Sequence, residues 1–405
     1  MKKLFAFILG GAFTASFAFA DVSIGISGRG AARVFDFSGY NNDYDNEAAK
    51  TAGAFGKDGS HSSPATVFGE FLNDFNFSAS TEDGMFGMNL DLEYAVDSEG
   101  GFGSVSLPDQ AKVWWMPTDW FLGQIGMVEI DDLRGTIGDW GNGRRDIGSL
   151  GEDDIFDRFY PQAGLALSFY PVEGLFIGAT FDAFKDGKDG GDWAENFYKS
   201  INVGFGYTID EKFQIKAAYF GAKDPRDGSK DELKDDDFNG KLELGFDWNI
   251  NESNLLEVGV KIPLWSDNDE RDEENGYLFQ AVAGIAGEND NLSYKGHALY
   301  RSMNGTDKDG DLAYFPVFGV DAGIEYALEK FTLGATVNYG GTFNNLLVKN
   351  IVNSFGAEVY VKKDVAADCF VFAGIADTLA VTDVEDTVKK TENRFYIPIG
   401  IEYAF

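Results

Sequence analysis

The sequence predicts an all-β chain closed as a transmembrane up-and-down antiparallel β-barrel, with short periplasmic turns and long extracellular loops. Three observations predict it. Apolar residues recur at strict period two in stretch after stretch of the 405 residues, the mark of strands with one apolar and one polar face. The connections between these stretches alternate between short and long, as in a barrel of an outer membrane. Beyond residue 20 no segment holds the ~20 consecutive apolar residues of a membrane helix, and none shows a sustained i, i+3, i+4, i+7 stripe.

The N-terminus reads as an export signal. Lys2 and Lys3 precede the apolar run LFAFILGGAFTASFAFA, which ends in Ala18-Phe19-Ala20, a small-x-small signal-peptidase pattern. Residues 1–20 are therefore expected to be a cleaved signal peptide and 21–405 an outer-membrane β-barrel. The run is short and rich in Gly, Ala and Ser, which argues against a retained anchor. Cleavage removes two lysines from a formal charge of −34, and −34 − 2 leaves −36. So acidic a chain lacks the basic footprint that a nucleic-acid partner needs. The single cysteine, Cys369, excludes an internal disulfide framework.

The strands follow in order. DVSIGISGRGAARVFDF (21–37) sets Val22, Ile24 and Ile26 on an apolar face. MFGMNLDLEYAV (85–96) alternates Phe86, Met88, Leu90, Leu92, Tyr94 and Val96 with Gly87, Asn89, Asp91 and Glu93. INVGFGYTI (201–209), GKLELGFDWNI (240–250) and FTLGATVNY (331–339) repeat the pattern. Stretches near 111–116, 121–129, 277–287 and 369–376 have ambiguous phase. The count is about eighteen strands of ~10 residues, with sixteen as the alternative.

Short turns are read at 80–84, 117–119, 171–174, 210–212, 251–254, 288–291 and 329–330. Long, acidic, Gly- and Asn-rich connections are read near 39–66, 97–109, 130–161, 185–196, 221–237, 265–276, 302–316, 340–350 and 377–394. Aromatics beside the short turns, among them Trp115, Trp120, Phe121, Tyr170, Phe176, Tyr207, Phe213, Trp248, Tyr326 and Phe331, suit an interfacial girdle. A secreted β-sandwich also alternates, but it has no reason to sort its loops by length.

The chain closes on FYIPIGIEYAF (395–405), with Phe395, Ile397, Ile399, Ile401, Tyr403 and Phe405 on one face. Pro398 cannot donate to the ladder, so a bulge or distortion is expected there. A barrel in lipid satisfies its backbone only if this strand pairs with the first. With signal peptide, period-two strands, sorted loops and a terminal aromatic strand, the chain resembles a bacterial outer-membrane porin. The resemblance implies that Phe405 and Tyr403 signal to the barrel-assembly machinery and that outer-membrane lipid surrounds the strands. It also implies passive diffusion of ions and small hydrophilic solutes, and a homotrimer, as is common among general porins.

Sixteen or eighteen strands enclose a lumen too wide for side chains to fill. Phase places Arg29, Arg33, Asp91, Glu93, Lys216, Lys241, Glu243, Asp247, Glu257, Lys261, Lys295, Arg301, Asp321, Glu325 and Glu402 on the pore wall. The loop at 130–161 follows the fifth strand. In porins that loop folds inward, which makes Asp131, Asp132, Arg134, Asp139, Arg144, Arg145, Asp146, Glu152, Asp153 and Asp154 the constriction candidates. Its charge density and Trp140 equally suit an exposed surface loop. Acids outnumber bases, so weak cation selectivity is expected.

Two other channel-free or narrower functions stand beside this one: a surface adhesin or antigen anchored by the barrel, and a substrate-specific, sugar-type channel. No cofactor is expected. The acidic loops 185–192, 267–274 and 307–311 suit weak Ca²⁺ binding, though none supplies a complete ligand set. No enzyme is expected either, because His61 sits in a loop and His297 shows no Ser or Asp partner by spacing.

Overall fold

The computed structural model describes residues 21–42, 47–53, 71–96, 104–105, 111–137, 155–159, 164–182, 201–221, 239–265, 277–306, 312–342, 350–384 and 388–404. The segment 1–20, the acidic loops 185–192, 267–274 and 307–311, and Phe405 lie outside these residues.

Strands β1 (Asp21–Asn42), β2 (Glu47–Gly53), β3 (Phe71–Ser80), β4 (Phe86–Val96), β5 (Ser104–Val105), β6 (Ala111–Thr118) and β7 (Phe121–Met127) come first. After the loop come β8 (Gly164–Val172), β9 (Leu175–Asp182), β10 (Ile201–Ile209), β11 (Phe213–Phe220), β12 (Asn239–Asn251) and β13 (Asn254–Trp265). The chain ends with β14 (Tyr277–Asn289), β15 (Leu292–Thr306), β16 (Leu312–Ala327), β17 (Thr332–Thr342), β18 (Asn350–Ala366), β19 (Cys369–Val384) and β20 (Val388–Ala404). Among the described residues there is no helix.

Neighbours pair antiparallel, and β1 closes the ring. Its residues Asp21–Gly30 pair with β3, and Ser27–Asn42 pair with β20. The short β2 extends one side of β1, and β5 adds two residues to β4. Without those two, eighteen strands form a closed barrel, which decides against sixteen.

Burial is inverted relative to a soluble sandwich. Along β10, Val203, Phe205 and Tyr207 are 38%, 48% and 44% exposed, while Asn202 between β9 and β11 is 5% exposed. The same outward set includes Ile24, Ile125, Leu244, Val320, Val337 and Ile375. An apolar outer face is stable in hydrocarbon, and closure leaves no unpaired edge there. Phe86, Trp115, Trp120, Phe121 and Phe169 make contact beside the short turns, as a girdle requires.

The short turns have local causes. Thr81 Oγ1 donates to Asp83 Oδ1 (2.6 Å) and Met85 N–H donates to the same atom (3.0 Å). These bonds hold the Asp83 carboxyl below the usual carboxylate range. Asp210 and Glu211 take positive φ (51° and 56°) in the three-residue connection 210–212, closed by Lys212 N–H donating to Ile209 O (3.0 Å), a twist that suits a hairpin. A further tight turn at Asp368 (φ 54°) joins β18 to β19 without any Gly or Pro to announce it.

Several expected long loops are corrected; the ladder of β1 and β2 continues to Asn42–Glu47, within 39–66. The ladder of β15 and β16 continues to Thr306–Leu312, within 302–316. That of β19 and β20 continues to Val384–Val388, within 377–394. Period two disappears where a strand leaves lipid, because both faces then meet water, but the hydrogen-bonded ladder goes on. The distortion expected at Pro398 is present: Arg33 pairs with Pro398 and Phe35 with Ile397, leaving Val34 as an extra residue on β1.

Candidate functional site: a loop tethered to the inner wall

β7 is the fifth barrel strand, since β1, β3, β4 and β6 precede it. The described parts of the chain that follows, 128–137 and 155–159, lie against the inner wall. Val128, Ile130, Leu133, Ile137, Ile155, Phe156 and Phe159 are each 1–2% exposed, and the residues they touch face inward. Phe159 meets Phe220 of β11 edge-on at 5.2 Å. Ile137 and Ile155 pack with Val282 of β14 and Leu299 of β15. The outgoing and returning arms bond to each other through Ile130 and Phe159 (3.2 Å each way) and through Gly135 N–H to Phe156 O (2.9 Å).

The wall under the loop is made to receive it. A Cβ on Gly259 would fall 1.9 Å from the carbonyl oxygen of Ile155, and one on Gly204 would fall 2.6 Å from the Phe159 ring. Only glycine allows so close an approach of loop to strand. This seat also explains the ambiguous phase of β14: Val282 faces inward because loop side chains cover it.

Charged wall residues tie the loop down. Glu257 accepts from Thr136 N–H (2.8 Å), Thr136 Oγ1 (2.9 Å) and Ile137 N–H (2.8 Å). Glu243 Oε2 accepts from Asp157 N–H (2.8 Å), and Glu243 Oε1 lies 2.8 Å from Lys241 Nζ. Lys241 and Lys261 both pair with the Asp157 carboxylate. Lys216 Nζ donates to Leu133 O (3.2 Å) and pairs with Asp247 Oδ2 (2.5 Å). Arg158 pairs with Glu129 at 2.9 Å inside the loop itself. Lys216, Lys261, Glu243, Glu257 and Glu129 are buried, whereas Lys241, Asp157 and Arg158 are about a quarter exposed; for the buried members the pairing matters most. Removing one partner of such a pair typically costs about 3–5 kcal/mol, because the other is left uncompensated in low dielectric.

His297 belongs to the same set, and here the sequence reading is corrected. Its Nδ1 is 3.0 Å from Asp321 Oδ1, its partner across β15 and β16, and its Nε2 is 2.6 Å from Ile137 O. The Asp partner is set by strand register, 24 residues away in sequence.

The predicted site residues divide into groups. Of the constriction candidates, Asp131 and Asp132 are exposed and Arg134 half-buried; Asp132 Oδ1 accepts from Tyr170 Oη (2.9 Å). Asp139, Arg144, Arg145, Asp146, Glu152, Asp153 and Asp154 lie outside the described residues. Of the wall candidates, Lys216, Glu243, Glu257 and Lys261 lie beneath the loop, at 1–2% exposure. Arg301 donates to Gln280 Oε1 (2.7 Å). Glu325 accepts from Tyr360 Oη and Lys362 Nζ, both at 2.6 Å. Asp91, Lys295 and Glu402 are partly exposed, at inward register positions. Arg29, Arg33 and Glu93 occupy inward register positions, and their side chains lie outside the described residues. Tyr403 is half-buried on β20. Sequence reasoning missed Thr136, Asp157 and Gln280. The inward glycines of β10 to β14 were a usable signal, since small wall residues mark a place where something sits.

No protein-family model and no curated protein matches the chain. Solved structures do. The outer membrane channel DcaP of Acinetobacter baumannii aligns with a TM-score of 0.52 at 11% identity, covering 95% of this chain and 98% of that one. Pseudomonas aeruginosa OpdQ gives 0.49 at 10% identity over 96% and 98%. Pseudomonas aeruginosa OccK2 (OpdF) in complex with glucuronate gives 0.47 at 12% identity over 95% and 99%. The fold is that of the outer-membrane porins and channels.

Proposed function

We propose that the protein is an outer-membrane porin whose water-filled lumen passes ions and small hydrophilic solutes by passive diffusion, with weak cation preference. The observation that carries this reading is the tethered loop. Eighteen strands make a lumen that wall side chains cannot fill, and a fixed inward loop is the element that sets its width. The shared fold with an outer membrane channel supports the reading. A channel also accounts for His297 better than an enzyme does, because both its ring nitrogens are engaged in holding Ile137 and Asp321. Export through the signal at 1–20, insertion by the barrel-assembly machinery and a homotrimeric state belong to the same proposal.

Purified protein in planar bilayers tests it. Stepwise KCl conductance is expected. A folded barrel that gives no steps would turn the function toward the surface loops, as in an adhesin.

A further inference from the structure

We propose that the periplasmic end of the inner wall carries a stacking site for neutral sugars, centred on Trp114. The proposal rests on the reading of an open lumen. Trp114 and Trp115 are adjacent on β6 and project to opposite faces. Trp115 is accounted for by the outer girdle, stacked on Phe86 with centroids 6.3 Å apart. Trp114 faces inward, where a girdle has no use for it. Its indole lies across Gly87 of the neighbouring β4: a Cβ there would fall 2.2 Å from Cζ2 and 2.6 Å from Nε1. The bare glycine lets the ring lie on the wall with its other face toward the lumen.

Around that face, Ser23, Ser78, Ser80 and Asn89 join Trp114 in lining a hollow of about 500 Å³. That volume is within the range of small-molecule sites. Among the described residues, none that lines it is charged. Ser23 and Ser78 share a hydrogen bond of 2.5 Å, and the Asn89 amide offers both donors and an acceptor. A flat aromatic face with uncharged donors and acceptors at its rim matches a pyranose, which has an apolar C–H face and a rim of hydroxyls. The hollow lies beside the short turn at 81–85.

Single channels titrated with maltotriose test the proposal. Wild-type protein should show concentration-dependent current interruptions. Trp114→Ala should raise the half-blocking concentration about tenfold while keeping its KCl steps, and Trp114→Phe should retain most of the block. Equal block in wild type and Trp114→Ala overturns the proposal. So does a wild-type channel that passes KCl without responding to maltotriose, or one blocked more readily by adenosine. If no KCl steps form at all, the channel reading has failed separately. The site is then read from fluorescence in detergent, where loss of a maltotriose-induced change in Trp114→Phe is expected and its persistence overturns the assignment.

Discussion

Glu257 shows what one buried carboxylate does for a loop more than a hundred residues away in sequence. Its two oxygens take three donors from Thr136 and Ile137, so it acts as the cap that this stretch of loop lacks. Glu257→Gln presents an NH₂ group to backbone N–H donors and loses at least one of the three bonds. Each hydrogen bond to a charged group contributes about 1.5–3 kcal/mol. The loop should therefore loosen while the barrel, whose ladder is untouched, stays folded. The expected outcome is noisier and larger single-channel currents with an unchanged heat-modifiable band on gels. Quiet wild-type currents from Glu257→Gln would show that apolar packing alone holds the loop.

At the scale of elements, the loop at 130–161 should respond to length as well as to tethering. Trimming 139–153 leaves the arms that carry Leu133, Ile137, Ile155 and Phe159, so the seat survives and the lumen widens. Single-channel conductance is expected to rise, and no change would mean that the trimmed part lies off the conduction path. Much of the element layout was legible in the sequence: period two marked the strands because one face meets lipid, and turn length marked their ends. The loop seat was not legible, because β14 buries Val282 against Ile137 and Ile155 and so reads as apolar on both faces. His297 was misread because its partner Asp321 is fixed by register and Ile137 by tertiary packing. The last strand was read correctly, including the irregularity opposite Pro398. It pairs with β19 on one side and β1 on the other, so it completes closure. If its terminal aromatic is the assembly signal, Phe405→Asp should lower the amount of folded, heat-modifiable barrel in the outer membrane. Normal amounts would leave Tyr403 and the alternating face sufficient.

For the whole molecule the deciding quantity is charge. The chain carries a formal −34. Beneath the loop, Lys216, Lys241 and Lys261 face Asp157, Asp247, Glu243 and Glu257, so 3 − 4 leaves −1. Four of these seven groups are buried, and acids and bases lie side by side, so together they contribute little net field. Asp131 and Asp132 are the exposed charges on the described part of the loop. Fixed negative charge at a narrow aqueous passage concentrates cations and repels anions, and the effect fades as the Debye length falls from ~10 Å at 0.1 M salt to ~3 Å at 1 M. Reversal potentials in a KCl gradient should therefore show weak cation preference at low salt that declines at high salt. Changing both exposed acids, Asp131→Asn with Asp132→Asn, should reduce that preference without closing the pore. An anion-selective sign at low salt would overturn the expectation. It would place the controlling charge on wall bases of β15 such as Lys295 and Arg301, and Lys295→Ala would then be the variant to move the reversal potential.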